Sequence, residues 1–502
     1  MWNGWSTICV VAATGVLSAG CSGGGNSAAL PSNVPVADQP DNAIVLENRK
    51  AGTADVLTTL LARYSPATIA GFADATSVER GGQIAFKVST SQPGTYTIDV
   101  YRLGFYGGAG TRRMGSSPTL EGVTQRDCEV TDSATHVMEC RWETSYTLQV
   151  GADWTSGIYI ALLTHTATAR ESAIYFVVRD DRRHSDIVFQ SSRTTGLAYN
   201  NWGNATEWHS LYGANSSDRM IAQKVSFDRP STDRDVLEFE FQMLRWLESQ
   251  GYDVTYITNM DVHTDATQLL NHKVFLSVGH DEYWSQEMRD GIEAARDVGV
   301  NLGFFSANTA YWRVRFEPSS DGTPNRVMVC YKYPLITPDP VAPTYRWRDP
   351  PNNRPENALL GVMYIGYNAR YGVPFDWVVA NAADPYFANT GLENGSAVSQ
   401  LVGYEWDGVV DNGHTPPRLV ILGASPVTPV SSPDTQISAT TRYTAPSGAQ
   451  VFATGSIPWM RGLDSTLIKT PHEDARAQQF AVNVLASMGA RPSTPNLGIV
   501  LR

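Results

Sequence analysis

Val274-Phe275-Leu276-Ser277-Val278, followed at once by Gly279-His280-Asp281-Glu282-Tyr283-Trp284-Ser285, is the stretch that decides the fold. A short, near-continuous apolar run reads as a strand buried on both faces, as in a parallel sheet. Ser285 then suits the cap of a helix whose Met288, Ile292 and Ala295 share one side. Outward on either flank the alternation repeats. Ile187-Val188-Phe189-Gln190 is a strand, and Leu237, Phe241, Leu244 and Leu247 form one stripe of a helix over Val236–Gln250, with Gly251 placed to end it. Val254–Ile257 and Leu302–Phe305 are further strands, as are Leu419–Leu422 and Val451–Ala453, and Asp474–Met488 reads as a closing helix. Strand, helix, strand at this spacing implies a parallel sheet with covered faces.

Upstream the pattern is different. Gln83–Val88, Tyr96–Tyr101, Ile158–Leu163 and Ser172–Val178 alternate between Gly/Pro/Asp clusters, with no 3.6-residue period. The expected fold class is therefore multidomain β plus α/β. An immunoglobulin-like β-sandwich precedes a mostly parallel α/β domain of amidotransferase/flavodoxin-like type. The divisions are 1–21 signal/lipoprotein segment, 22–45 flexible linker, 46–182 sandwich, and 183–502 α/β domain carrying the site. Seven prolines between Pro334 and Pro355 predict a long ordered loop, a candidate lid.

Composition narrows the function. With 502 residues, 42% hydrophobic and 10% aromatic, the chain can build more than one core, and a formal charge of −12 argues against a nucleic-acid partner. Ser6–Gly20 is apolar or small, and Leu17-Ser18-Ala19-Gly20-Cys21 resembles a bacterial lipoprotein signal in which Cys21 is lipidated. The expectation is an exported protein anchored to the membrane through Cys21; an ordinary secretory signal is the alternative. Cys128 and Cys140, twelve residues apart around a polar turn, fit a disulfide-stapled hairpin. Cys330 is left over and reads as packing.

Ligands in open α/β sheets sit at the carboxyl ends of the strands, which is where Gly279–Ser285 falls. No G-x-S-x-G elbow is present, and adjacent Asp281 and Glu282 cannot flank a glycosidic bond. Thr194–Gly203, with Tyr199, Asn200 and Trp202, should emerge at the same edge, and Trp154–Tyr159 lies near the domain junction.

These pieces, with Tyr101–Gly108, Phe304–Asn308 and Tyr311–Arg315, occur in an order that resembles the large (beta) subunit of N,N-dimethylformamidase and the group sharing its C-terminal domain. The resemblance implies one mononuclear iron per chain, held by two tyrosines and a glutamate, and hydrolysis of a small amide. Carried over by motif, the metal ligands are Glu282, Tyr199 and Tyr159. His280 is an acid/base group beside them. Two phenolates and a carboxylate are hard anionic donors suited to Fe(III), and open positions on the ion would activate water. Asn200 and Asn308 are candidate oxyanion donors, equally suited to holding a turn. The leading expectation is a metal-dependent hydrolase of C–N bonds acting on a small-molecule amide. The alternative is a non-catalytic cell-surface protein that binds glycan or peptide.

Overall fold

A computed structural model describes residues 41–203, 209–212, 221–231, 234–368, 374–430 and 432–501. The expected leader, Cys21 and the expected linker up to residue 40 lie outside them. Strand Val274–His280 is third in a seven-stranded sheet, and all seven of its residues are buried. The order is Val254–Thr258, Ile187–Ser191, Val274–His280, Asn301–Ala307, Gln450–Ala453, Gln436–Thr444, Val420–Val427. The first five pair in parallel, Ile187 opposite Val274 and Val274 opposite Asn301, and the last two add antiparallel pairings at one edge. The apolar runs that read as buried strands are thus the middle of the sheet.

Helix Gln286–Asp297 makes one crossover, and the Ser285 hydroxyl caps it by accepting from the Met288 N–H at 3.2 Å. The other expected helix is divided. Val236–Glu240 forms a π-helical turn, and the α-helix proper runs Phe241–Ser249. Gly251 follows at φ 71°, a left-handed conformation that ends the helix without a Cβ penalty. The π turn has a structural use. It brings Phe239 so close to Gly279 that a Cβ there would stand 2.5 Å from the Phe239 Cβ, and Gly279 is also at φ 70°.

The N-terminal part is β-rich. Ile69–Ala73, Gln83–Thr90 and Tyr146–Gln149 make one sheet, and Ser77–Glu79, Arg170–Arg179, Gly157–His165, Thr95–Leu103 and Thr111–Ser116 make the other. Ile84, Phe86 and Val88 from the first share a core with Ile98, Val100, Ala161, Leu163 and Phe176 from the second. The opposite face of the second sheet (Leu103, Ile158, Ile160, Leu162, Val177) joins a different core, with Phe189, Leu244 and Tyr256 of the parallel-sheet part. One hydrophobic core therefore crosses the sequence boundary near residue 182, and residues 41–502 form one compact unit.

The last residues assigned to the linker are helical. Asn42 caps Ala43–Asn48 by accepting from the N–H groups of Ile44 and Val45. Its Glu47 is a buried carboxylate with four partners: Arg112 and Tyr106 at 2.9 Å, Lys50 at 2.6 Å and Thr155 at 3.0 Å. Beside it, Arg102 and Glu248 join the two parts through a buried bidentate pair at 2.7 and 2.9 Å. Cys128 and Cys140 are bridged, and the free Cys330 is buried.

The 334–355 segment is an irregular loop. It is pinned by Asp339 on Arg315 at 3.0 Å and by the buried Trp347, over which Arg289 lies at 4.7 Å.

Candidate functional site

Where strand Val274–His280 ends, consecutive acids go opposite ways. Asp281 turns into the sheet edge and accepts from Gln190 at 2.7 Å and Ser277 at 2.9 Å. Burial raises its pKa against these bonds, so Asp281 ties strand ends together. Glu282 turns outward. Its backbone is clamped by the Tyr311 and Trp312 N–H groups on its carbonyl, and its own N–H donates to Thr195 Oγ1. Thr195 belongs to helix Arg193–Tyr199, whose Thr194 hydroxyl donates to the Tyr283 carbonyl at 2.8 Å. The helix is thereby docked on the Glu282 turn with Tyr199 at its end.

The Tyr199 hydroxyl donates to Glu282 Oε2 at 3.0 Å, and the Trp312 indole N–H donates to Oε1 at 2.8 Å. Tyr212 completes the cluster. Its hydroxyl is 3.3 Å from both Glu282 oxygens and 2.6 Å from the Tyr283 hydroxyl, and its ring stacks on Tyr199 with centroids 4.0 Å apart. Glu282 is 3% exposed whereas Tyr199 is 37% exposed, so the site reaches solvent along Tyr199.

Opposite the phenols, His280 Nε2 lies 3.4 Å from Glu282 and 3.2 Å from Glu405. Burial opposes its charge, but Glu405 and Glu282 outweigh that and hold the imidazolium well above the usual histidine range. The Glu282 carboxyl is correspondingly low. Burial raises it, and His280, the Lys332 charge and the Tyr199 hydroxyl outweigh burial. Lys332 Nζ sits 3.3 Å over the Tyr212 ring, and burial pushes its pKa down to about 8. Burial, followed by the Glu282 charge, pushes Tyr199, Tyr212 and Tyr283 well above the usual phenol range, so each is protonated as it stands.

Two of the three expected ligands, Tyr199 and Glu282, meet here, and His280 is beside them. Tyr159 is elsewhere. It is fully buried in the N-terminal core, stacked on Trp154 at 5.3 Å, and its hydroxyl donates to the Thr155 carbonyl at 2.6 Å. Strand position explains this: Tyr159 alternates onto the face filled by Phe176. Asn200 is also apart from the carboxylate, because its amide holds a turn through the Pro230 carbonyl at 2.9 Å and the Trp202 N–H at 3.1 Å. Asn308 is in the site, but at φ 51° it presents its amide N–H to Glu405 at 2.9 Å. Sequence reading missed Tyr212, Glu405 and Lys332. Tyr212 lies in a stretch without periodicity, and only its nearness in sequence to Tyr199 hints at a role.

Among the described residues, no group of three His, Cys, Asp or Glu side chains could hold a metal ion. A hard cation would need the phenols. Oxygen donors about 2.0–2.1 Å from a common ion stand about 2.9–3.4 Å apart along tetrahedral or octahedral edges. The Tyr199–Glu282 and Tyr212–Glu282 separations of 3.0 and 3.3 Å fall in that range, as hydrogen bonds from protonated phenols do equally.

A family model described as N,N-dimethylformamidase beta subunit-like, C-terminal, matches residues 97–474, well over half of the chain. The chain belongs to that family. At the coarse level, membership in this dimethylformamidase-like family points to hydrolysis of an amide C–N bond. A search of the curated proteins gives no match. The matched segment contains every residue of the Glu282 cluster, and it also contains Tyr159, so membership alone does not choose between Tyr159 and Tyr212.

Proposed function

We propose that this dimethylformamidase-like protein hydrolyses a small amide at the Glu282 site, with Tyr199, Tyr212 and Glu282 holding one ferric ion per chain. The supporting observation is the meeting of two phenol hydroxyls on one buried carboxylate at 3.0 and 3.3 Å. When bound, such an ion supplies Lewis acidity, lowering the pKa of water and polarising the amide carbonyl.

The remaining chemistry falls to the chain itself. His280, charged between two carboxylates, is the proton donor to the departing amine. Glu405 orients that imidazole and is itself held by the Asn308 amide. Lys332 places a buried positive charge beside Glu282, where it favours the negative charge that develops on an amide oxygen. The aromatic walls, Tyr199, Tyr212, Tyr283 and Trp312, restrict water around the carboxylate. Export and anchoring through Cys21 belong to the same proposal.

The test is metal content with a visible spectrum, because phenolates bound to Fe(III) absorb visible light. Near-stoichiometric iron and a coloured protein are expected. Glu282→Gln should lose the iron, and Tyr212→Phe should weaken or shift the band. Tyr159→Phe should leave both unchanged. A protein that stays colourless and metal-free after reconstitution with iron ends the reading.

A further inference from the structure

Behind the helix that carries Tyr199, on the side away from Glu282, lies a cavity of about 70 Å³ between the N-terminal strands and the parallel-sheet part. Its walls are of two kinds. Phe72, Ile174 and Leu197 are apolar, and Arg193, Arg229 and Arg326 bring three guanidinium groups. Arg326 is engaged by Asp228 at 2.8 Å.

Arg229 is different. It is 2% exposed, and among the described residues its Nη atoms donate to backbone carbonyls: Asn200 at 2.9 Å, His209 at 2.5 Å and Trp202 at 3.4 Å. Among the described residues no carboxylate is paired with it, and its Nε has no hydrogen-bond partner. A buried charge is costly unless it is paired, and a guanidinium does not escape the cost by deprotonating. Burial drives the Arg229 pKa down to about 9.

We propose that this cavity is a second binding site, one that takes a small monocarboxylate with its carboxylate on Arg229 and its short alkyl tail against Phe72, Ile174 and Leu197. Charge and wall chemistry together select the ligand class. The unpartnered Nε–H of Arg229 is free to donate a charge-assisted hydrogen bond to a carboxylate oxygen, and the apolar walls suit a short alkyl tail better than a fully hydrated inorganic anion. The cavity volume allows only a few heavy atoms. Ala75 and Thr76 at the rim are partly exposed, which gives the ligand a way in.

Arg229 also grips the Asn200 and Trp202 carbonyls, immediately after Tyr199, so an occupant would brace the segment that delivers Tyr199 to Glu282. Amide hydrolysis releases an acid of this class. That link rests on the proposed function, whereas the binding itself does not.

The test is calorimetric titration of the full protein with sodium butyrate at fixed ionic strength, with sodium chloride as the control salt. Saturable one-to-one binding of butyrate, and none of chloride, is expected. Arg229→Met should weaken it by about tenfold or more, as loss of a charge-assisted hydrogen bond does. Because Arg229→Met also removes supports of the backbone, Ala75→Leu serves as the second variant: it narrows the rim, leaves Arg229 in place, and should also abolish binding. The site is disproved by the absence of saturable butyrate binding in the wild type, or by binding that survives Ala75→Leu unchanged. Chloride binding as strong as butyrate overturns the carboxylate assignment. None of these outcomes depends on iron or on turnover, so the site at Glu282 is tested separately.

Discussion

Replacing Arg102 by methionine removes one half of the ion pair that joins the N-terminal sheets to the parallel-sheet part. Both side chains are fully buried, and the two Nη atoms reach the two Glu248 oxygens at 2.7 and 2.9 Å. Without Arg102, Glu248 keeps the Tyr256 hydroxyl at 2.9 Å and the Asn48 amide at 2.8 Å, but has no counter-charge. The Leu103 and Ser156 carbonyls lose a donor as well. Breaking a buried pair from one side costs about 3–5 kcal/mol, mostly the penalty of the stranded charge. Adding Glu248→Gln removes that charge and keeps the shape, so the double variant should be more stable than Arg102→Met alone. Urea denaturation followed by tryptophan fluorescence measures both. If the double variant is less stable than Arg102→Met by the full cost of Glu248→Gln, the two effects add, and a stranded carboxylate is not the cause.

Three further outcomes are expected. Burial raises the Glu47 carboxyl, but Arg102, Lys50, Arg112 and Tyr106 outweigh it and hold it at about 2, below the unfolded value of about 4.5. Its contribution to stability is therefore full above about 4.5 and is lost as pH falls toward about 2, so Glu47→Gln should flatten the melting-temperature profile across that window. Gly279→Ala forces a Cβ into a left-handed backbone position 2.5 Å from Phe239, and should destabilise by about 1–3 kcal/mol in the same urea assay; an unchanged midpoint refutes the close approach. His280→Ala should retain bound iron and lose turnover, which iron analysis and an amide-hydrolysis assay on the same preparation separate.

Much of this molecule is written in its apolar periods. The parallel core strands and the helix after Ser285 follow from local runs that agree with their burial, and Gly251 stops its helix as its type predicts. The π turn at Val236–Glu240 does not show in the sequence, because its cause is tertiary: Phe239 must reach Gly279. Helix Ala43–Asn48 is equally hidden. Six residues have no readable period, and Glu47 looks like any surface acid until Tyr106, Arg112 and Thr155 reach it from distant segments. At the site, Glu282 and Tyr199 are named by the family resemblance, and each falls a few residues past a strand that can be recognised. Tyr212 and Lys332 come from irregular stretches and Glu405 opens the short strand Glu405–Gly408, and only folding brings them within reach. Tyr159 misleads for the opposite reason. It lies in a clear strand, and its alternation sends it into the core.

The segment recognisable as a family member and the segment able to fold are different lengths of chain. Residues 97–474 hold the family match, yet strands Ile69–Ala73 and Gln83–Thr90 lie before it and supply Ile69, Ala73, Ile84, Phe86 and Val88 to a shared core. Just past its other end, helix Ala475–Ser487 presents Phe480 to the rings of Trp377, Tyr386, Phe387, Phe452 and Trp459. A gene fragment trimmed to the match would lay both surfaces bare to water. In any rearrangement of this chain, the flanks 41–96 and 475–501 must travel with the matched residues as a single cassette.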